Sequence, residues 1–255
     1  MSYELHENEW ARDMILRRDL GKNTFETVTR VARYYLESGF SKAEVRKLLD
    51  AFVIQCDPEA SLALYSDLLD NAVKRALKRH SVNIDEICIT KKEMDTIGKL
   101  EQRQAKRLAF TLLCFAKYLD QIYPNNDHWV NVKDSDLMRA ANISTSIKRQ
   151  SSIYNYLYNN YLIEFSKMVD NINTQVSFID DNSPVVLRVT DLRNLGYQYL
   201  KYIGEPNYFV CEGCGITEKY TSPKGFNRRF CPDCANKIKM KKKVNSIMCR
   251  NLRDK

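Results

Sequence analysis

Along the first hundred residues, apolar side chains recur every three or four positions, the spacing of helices with one buried face. Val28, Val31, Ala32 and Tyr35 share such a face, and Gly39 stops that helix. Ser41 and Glu44 form a capping box, with Phe40 and Val45 placed as its hydrophobic staple, and open a helix through Val53. Leu62, Tyr65, Leu69, Val73, Ala76 and Leu77 give a third amphipathic helix. A second capping box, Thr90 to Glu93 with Ile89 and Met94 as its staple, starts a short helix that Gly98 is placed to interrupt. The pattern predicts a helical bundle over residues 1–100, whose stripes speak of packing or of protein contact rather than of chemistry.

After residue 100 the pattern changes in a specific order. A long helix from Glu101 to about Tyr123 carries Leu108, Leu112, Phe115, Leu119 and Ile122 on its buried face and ends at Pro124. Trp129 to Val132 reads as a short strand, and Asp134 or Ser135 caps a short helix from Asp136 to Ala141. Asn142 to Thr145 then make a tight turn before a helix over Ser146–Tyr158. Two alternating strands, Leu162–Met168 and Thr174–Ile179, flank a turn at Asp170–Asn173. Helix, strand, short helix, turn, helix, hairpin is the order of a winged helix-turn-helix. That module is expected over residues 101–205, together with a linking helix from Asp191 to Ile203 capped by Thr190.

The chain has 255 residues, 44% hydrophobic and 28% charged, which excludes wholesale disorder and fibrous repeats. Only 8 Gly and 6 Pro agree with a mainly α fold. The formal net charge is +8, and its distribution is uneven. Residues 1–100 are at −1, residues 101–205 at +1, and residues 206–255 at +8. The N-terminus carries three acids and no apolar run, so no secretory signal is expected. The longest apolar stretch, Leu108 to Ala116, is about half of the roughly 20 residues that cross a bilayer. A cytoplasmic protein with no membrane partner and with reduced cysteines is the expectation.

Four of the eight cysteines, Cys56, Cys88, Cys114 and Cys249, are scattered and read as ordinary thiols. The other four form two C-x2-C pairs, Cys211/Cys214 and Cys231/Cys234, separated by 16 residues, inside the window for a zinc site. Each tight turn holds two thiolates on one side, and two such knuckles close a tetrahedron around a d10 ion. Gly213 and Gly215 give the first knuckle the backbone freedom its amides need. Four protein ligands leave no open position, so one structural Zn2+ is expected rather than a catalytic one. Residues 206–255 hold few apolar side chains and are expected to take folding free energy from the metal. A basic helix should follow Cys234, with Met240, Val244, Ile247 and Met248 on one face and Lys237, Lys241, Lys242 and Lys243 largely elsewhere.

In a winged helix the second helix of the turn enters the major groove. Ser146, Lys148, Arg149 and Gln150 occupy its first turns, and Lys167 lies in or near the wing. Lys224, Arg228 and Arg229 between the knuckles, with Lys237 and Lys241 to Lys243, add a basic arm. Against this, residues 134–181 hold four basic and six acidic side chains, whereas a DNA-reading face is normally net positive. A winged helix that contacts protein therefore stays open. Tyr154, Tyr156, Tyr158 and Tyr161 could form a base-stacking platform, but beside Ile153, Leu157 and Leu162 they read as core. Signatures for phosphate or dinucleotide binding and for metalloprotease chemistry are missing, and His6, His80 and His128 are isolated. A non-enzyme is expected.

The N-terminal helical module, the run from Arg107 to Tyr118, Trp129 to Val132, the run from Arg193 to Tyr199 and the four-cysteine ribbon together resemble uncharacterised proteins encoded by phages and integrated elements of Gram-positive bacteria. The resemblance covers most of the chain, and its functional positions are the four cysteines alone. It implies replication organisation, transcriptional control or interference with host defence. The expected function is a zinc-stabilised nucleic-acid-binding protein, for DNA in preference to RNA. The alternative is a protein-binding adaptor or inhibitor acting on a host nucleoprotein complex such as a CRISPR-type effector.

Overall fold

The computed structural model describes residues 3–167, 173–220 and 228–240, and within them the chain divides into two compact units, Met1–Glu86 and Ile87–Lys255. The boundary falls before residue 100 because Ile87–Thr90 is a strand whose partner, Val185–Val189, lies nearly a hundred residues on. The four-cysteine segment falls within the second of these units, where the strands Tyr208–Val210 and Thr217–Lys219 pack on the helix Leu195–Tyr202.

The first unit holds α1 (Glu7–Arg17), α2 (Thr24–Glu37), α3 (Lys42–Cys56) and α4 (Leu62–Ala76). The Ser41/Glu44 capping box is present with both of its bonds, whereas Phe40 stays 42% exposed and sets its ring edge-on against Tyr35. Val28, Val31, Val45, Leu49, Phe52, Leu69 and Val73 are among the residues that close the core. In α1, Ala11 and Met14 are buried, and Trp10 and Ile15 pack against the core that Ala11 joins. Charge fixes the helix further. Glu7, 2% exposed, meets Arg33 Nη1 at 2.6 Å, Arg79 Nη1 at 3.1 Å and Arg30 Nε at 3.3 Å, and its Oε2 accepts the Val82 N–H. Burial alone would raise the Glu7 carboxyl, yet the Arg33 and Arg79 charges and the Val82 amide outweigh it and hold its pKa below the ordinary value. Backbone bonds from Glu7 to Val82 and from Ile84 to Leu5 close the unit by joining its two ends.

The second unit is built around one helix. Its elements are β1 (Ile87–Thr90), α5 (Lys91–Gly98), α6 (Arg103–Ile122), β2 (Trp129–Val130), α7 (Asp134–Ala140), α8 (Ile147–Asn159), β3 (Ile163–Phe165), β4 (Thr174–Val176), β5 (Val185–Val189), α9 (Leu195–Tyr202), β6 (Tyr208–Val210) and β7 (Thr217–Lys219). A further helix, α10, spans 232–240. α6 is buried on all sides from Leu108 to Leu119, which suits a central helix. The Thr90/Glu93 capping box opens α5, and Gly98 ends that helix rather than interrupting it. Glu93 is fully buried, and it pairs with Lys117 Nζ at 2.8 Å and accepts the Asp180 N–H, anchoring the connection that leads to β5. β4 is the middle of a three-stranded antiparallel sheet of order β2-β4-β3. α9 begins at Leu195 rather than Asp191, because Asn194 is left-handed (φ 52°) and breaks the helical path, so Thr190 is not its cap.

Candidate metal centre

Cys211 ends the approach from β6, and Gly215, left-handed at φ 73°, turns the chain so that Gly215 N–H reaches the Cys211 carbonyl. Gly213 serves a different need: a methyl there would meet Cys234 Sγ at 3.0 Å and Cys234 Cβ at 3.2 Å. The second pair straddles the start of α10, with Cys231 just before it and Pro232 at its first position, where a missing N–H costs nothing. A helix N-terminus favours the negative charge of thiolates.

The four Sγ atoms lie within 4.8 Å of one another, and Cys214 Sγ and Cys231 Sγ are 3.7 Å apart. Sulfurs at about 2.3 Å around a tetrahedral zinc are separated by about 3.8 Å, so the donor set fits one such ion. Amides support the sulfurs, Cys231 N–H and Gly213 N–H on Cys211 Sγ and Cys234 N–H on Cys231 Sγ. Burial works against ionisation of Cys211, but these amides and that of Cys214 outweigh it and bring its pKa down to about 6. Burial and the neighbouring thiols push Cys234 up to about 12, and burial raises Cys214. Four thiols this close cannot all ionise without a cation, so the cluster suits one divalent metal ion on electrostatic grounds as well as geometric ones. Cys211, Cys231 and Cys234 are buried while Cys214 faces solvent, and Phe230 packs beside them. Among the described residues, Cys56, Cys88 and Cys114 take part in no disulfide, and Arg188 Nη1 lies 4.0 Å from Cys88 Sγ.

A polar chain ties the metal segment to the α7–α8 turn. Asn142, left-handed at φ 54°, closes α7, and its Nδ2 donates to Asn194 Oδ1 at 2.9 Å while its Oδ1 accepts the Tyr197 N–H at 3.0 Å. Asn194 Nδ2 donates onward to the Thr217 carbonyl at 3.0 Å and to Glu218 Oε1 at 3.2 Å, in β7. Tyr197 and Tyr208 pack their rings at 5.1 Å, and Arg103 forms a bidentate pair with Glu205. Gly196 is the contact point, for a methyl there would fall 2.0 Å from the Ala141 carbonyl oxygen. Neither asparagine was legible as a site from sequence, although Asn is one of the few residues that adopt left-handed backbone readily.

The expected nucleic-acid contacts are only partly assembled. Ser146, Lys148 and Arg149 are exposed in the first turn of α8, where the Ser146 hydroxyl caps the helix by accepting the Arg149 N–H. Arg149 is also held by Gln104 and Gln102, and Gln150 turns back to the Thr145 carbonyl. Lys167 and Lys237 are exposed, Arg228 is half-buried, and Arg229 is committed to Glu212 at 2.6 Å. Met240 is 64% exposed. Lys224, Lys241, Lys242 and Lys243 lie outside the described residues, as do Val244, Ile247, Met248 and Cys249. Tyr154 is buried, but Tyr158 and Tyr161 are 49% and 87% exposed, so the tyrosine row is core at one end and surface at the other. Among the described residues, no helix is long and apolar enough to cross a membrane. No protein-family model, curated protein or solved structure matches this chain.

Proposed function

We propose that this chain is a non-enzymatic, metal-stabilised nucleic-acid-binding protein, in which residues 103–176 act as a winged helix-turn-helix and a four-cysteine zinc ribbon braces it. The observation that carries this reading is the first half of α8. Ser146, Lys148, Arg149, Ser151 and Ser152 are all exposed, and the opposite side of the helix is anchored by Ile153, Tyr154 and Leu157. A short helix that presents hydroxyls and cations to solvent after a tight turn suits insertion into a groove. The sheet order β2-β4-β3 supports the same reading, since the β3–β4 hairpin then stands beside α8 as a wing.

Zinc supplies structure here, with four thiolates filling its coordination and no position left for water. The segment it organises is also the most basic of the chain, at +8 over residues 206–255 before the metal is counted. Four thiolates and one Zn2+ together contribute about −2, so a basic arm remains. A role in a phage or mobile element, as a regulator or replication accessory, is the setting this reading fits.

Binding of duplex DNA by the zinc-loaded full chain, measured over a range of salt, tests it. Affinity should fall linearly on a log–log plot, and Lys148→Glu, or Lys241, Lys242 and Lys243 changed together to Glu, should flatten the slope. Binding that is absent or indifferent to salt would remove the reading. A second reading, an adaptor on a host nucleoprotein complex, is favoured by Ile147, an apolar residue 81% exposed at the start of α8. Partners captured from host lysate that survive nuclease digestion would support it.

A further inference from the structure

The far end of α8 carries a feature that duplex recognition does not use. Tyr158 stacks on Phe165 of β3 with ring centroids 5.4 Å apart and planes at 27°, and Phe165 in turn leans on buried Tyr154 at 6.4 Å. The row therefore runs from the core outwards, ending in rings that are 37% (Phe165) and 49% (Tyr158) exposed. Tyr161 stands beside them, 87% exposed, so its ring contributes almost nothing to folding.

Its backbone makes that exposure more telling. Tyr161 N–H bonds the Tyr158 carbonyl and Leu162 N–H bonds the Leu157 carbonyl, the paired bonds of a helix end that reverses through a left-handed residue. Glycine is the usual occupant of that position, and a bulky aromatic at φ 58° is strained. A solvent-exposed ring thus stands on a strained backbone position, where the fold would prefer no side chain at all. The three rings border a hollow of about 820 Å³, which Asn159, Glu164, Lys167 and Ser177 also line. That is within the roughly 300–1,000 Å³ of sites that hold drug-sized ligands, a class that includes nucleosides.

We infer that Tyr158, Tyr161 and Phe165 form a stacking platform for unpaired bases, so that the nucleic acid this protein takes has a single-stranded stretch beside α8. This rests on the nucleic-acid reading above and narrows it. Bases in an intact duplex keep their faces covered by their neighbours, and only unpaired bases can lie on an aromatic ring. Each stacked base adds affinity that does not come from charge, in a region with four basic against six acidic residues over 134–181. Lys167 at the rim is placed for a phosphate, and the Asn159 amide and Glu164 carboxylate offer a donor and an acceptor to base edges. Besides the three rings and Ile163, the hollow is lined by an amide, a hydroxyl and two charges, groups that a base edge and a phosphate can use and that an apolar protein partner would leave unpaired.

The test uses the zinc-loaded full chain with a labelled oligo-dT, which forms no duplex of its own, and with a double-stranded oligonucleotide of equal length. Tyr158→Ala and Tyr161→Gly should each weaken oligo-dT binding by roughly 5- to 100-fold, Tyr161→Trp should preserve it, and duplex affinity should stay within about twofold. Tyr161→Gly relieves a strained backbone position, so its melting temperature should not fall and loss of fold cannot mimic the result. If duplex binds but oligo-dT does not, or if both variants bind oligo-dT like the parent, the platform is wrong and the nucleic-acid reading stands. Failure to bind nucleic acid of any form overturns both.

Discussion

Gly196→Ala isolates the junction between the α7–α8 turn and the metal segment with a single methyl group. That methyl would sit 2.0 Å from the Ala141 carbonyl oxygen, 2.5 Å from its carbon and 3.1 Å from Asn142 Oδ1. Two of these obstacles are backbone, so no side-chain rotation can relieve them. Overpacking of this kind costs about 1–3 kcal/mol, and a backbone obstacle places it at the top of that range. Moving α9 away would also stretch the Tyr197 N–H bond to Asn142 and the Asn142–Asn194 bond, each contributing about 1 kcal/mol. The total, about 3–5 kcal/mol, corresponds to roughly 6–20 °C in melting temperature for a unit of this size. Circular dichroism melts of the zinc-loaded chain measure it, and amide exchange in α6 should accelerate in parallel. Gly98→Ala is the control, since nothing lies within 4 Å of its added methyl and it ends a helix. That change should be neutral or stabilise by up to about 1 kcal/mol. A Gly196→Ala protein that melts within about 2 °C of the parent would refute the docking of α9 on the turn and with it the coupling of the metal segment to α8.

Other consequences follow from the same geometry. Glu7→Ala takes from buried Arg33 the carboxylate it bonds at 2.6 Å, while Arg30 keeps Glu26 and Arg79 keeps the His80 carbonyl, and should cost about 3–5 kcal/mol, measured by urea denaturation, whereas Glu59→Ala at an exposed position should cost under about 0.5 kcal/mol. Glu7 has a depressed folded pKa, so its stabilisation is complete above the ordinary value of 4.5 and is lost as pH falls through the lower folded value. Acid melts of the parent should therefore show a decline below that pH that Glu7→Gln lacks. Cys231→Ser should lose zinc on dialysis against a chelator while Cys56→Ser keeps one ion per chain, read by elemental analysis. Asn194→Ala removes bonds to Asn142, Thr217 and Glu218, and should accelerate amide exchange in β7 and in the α7–α8 turn together.

Much of this architecture is local, and the local part is legible. Both capping boxes, the face of α6, the turn at Asn142 and the paired cysteines each depend on residues a few positions apart, so spacing alone reveals them. The β1–β5 pairing is illegible for the opposite reason. Its strands lie nearly a hundred residues apart, and Glu93, paired with Lys117, fixes the approach to β5 by accepting the Asp180 N–H. α1 packs Trp10, Ala11 and Ile15 toward the core, but the ion cluster that also holds it joins Glu7 to arginines 26 and 72 positions away, which hydrophobic periodicity cannot detect. The tyrosines of α8 show a subtler limit. Periodicity separates a buried face from an exposed one, but it gives no notice that Leu162 folds inward after Tyr161 has reversed the chain in a left-handed conformation.

The proposed function requires that a metal-organised segment hold the proposed nucleic-acid face of α8 in place. Comparing the affinity of zinc-loaded and chelator-stripped protein for one labelled oligonucleotide, at one salt concentration, tests that directly. The loaded protein should bind at least about tenfold more tightly, because stripping disperses the basic arm and frees the α7–α8 turn from Asn194. Equal affinity in the two states would contradict it.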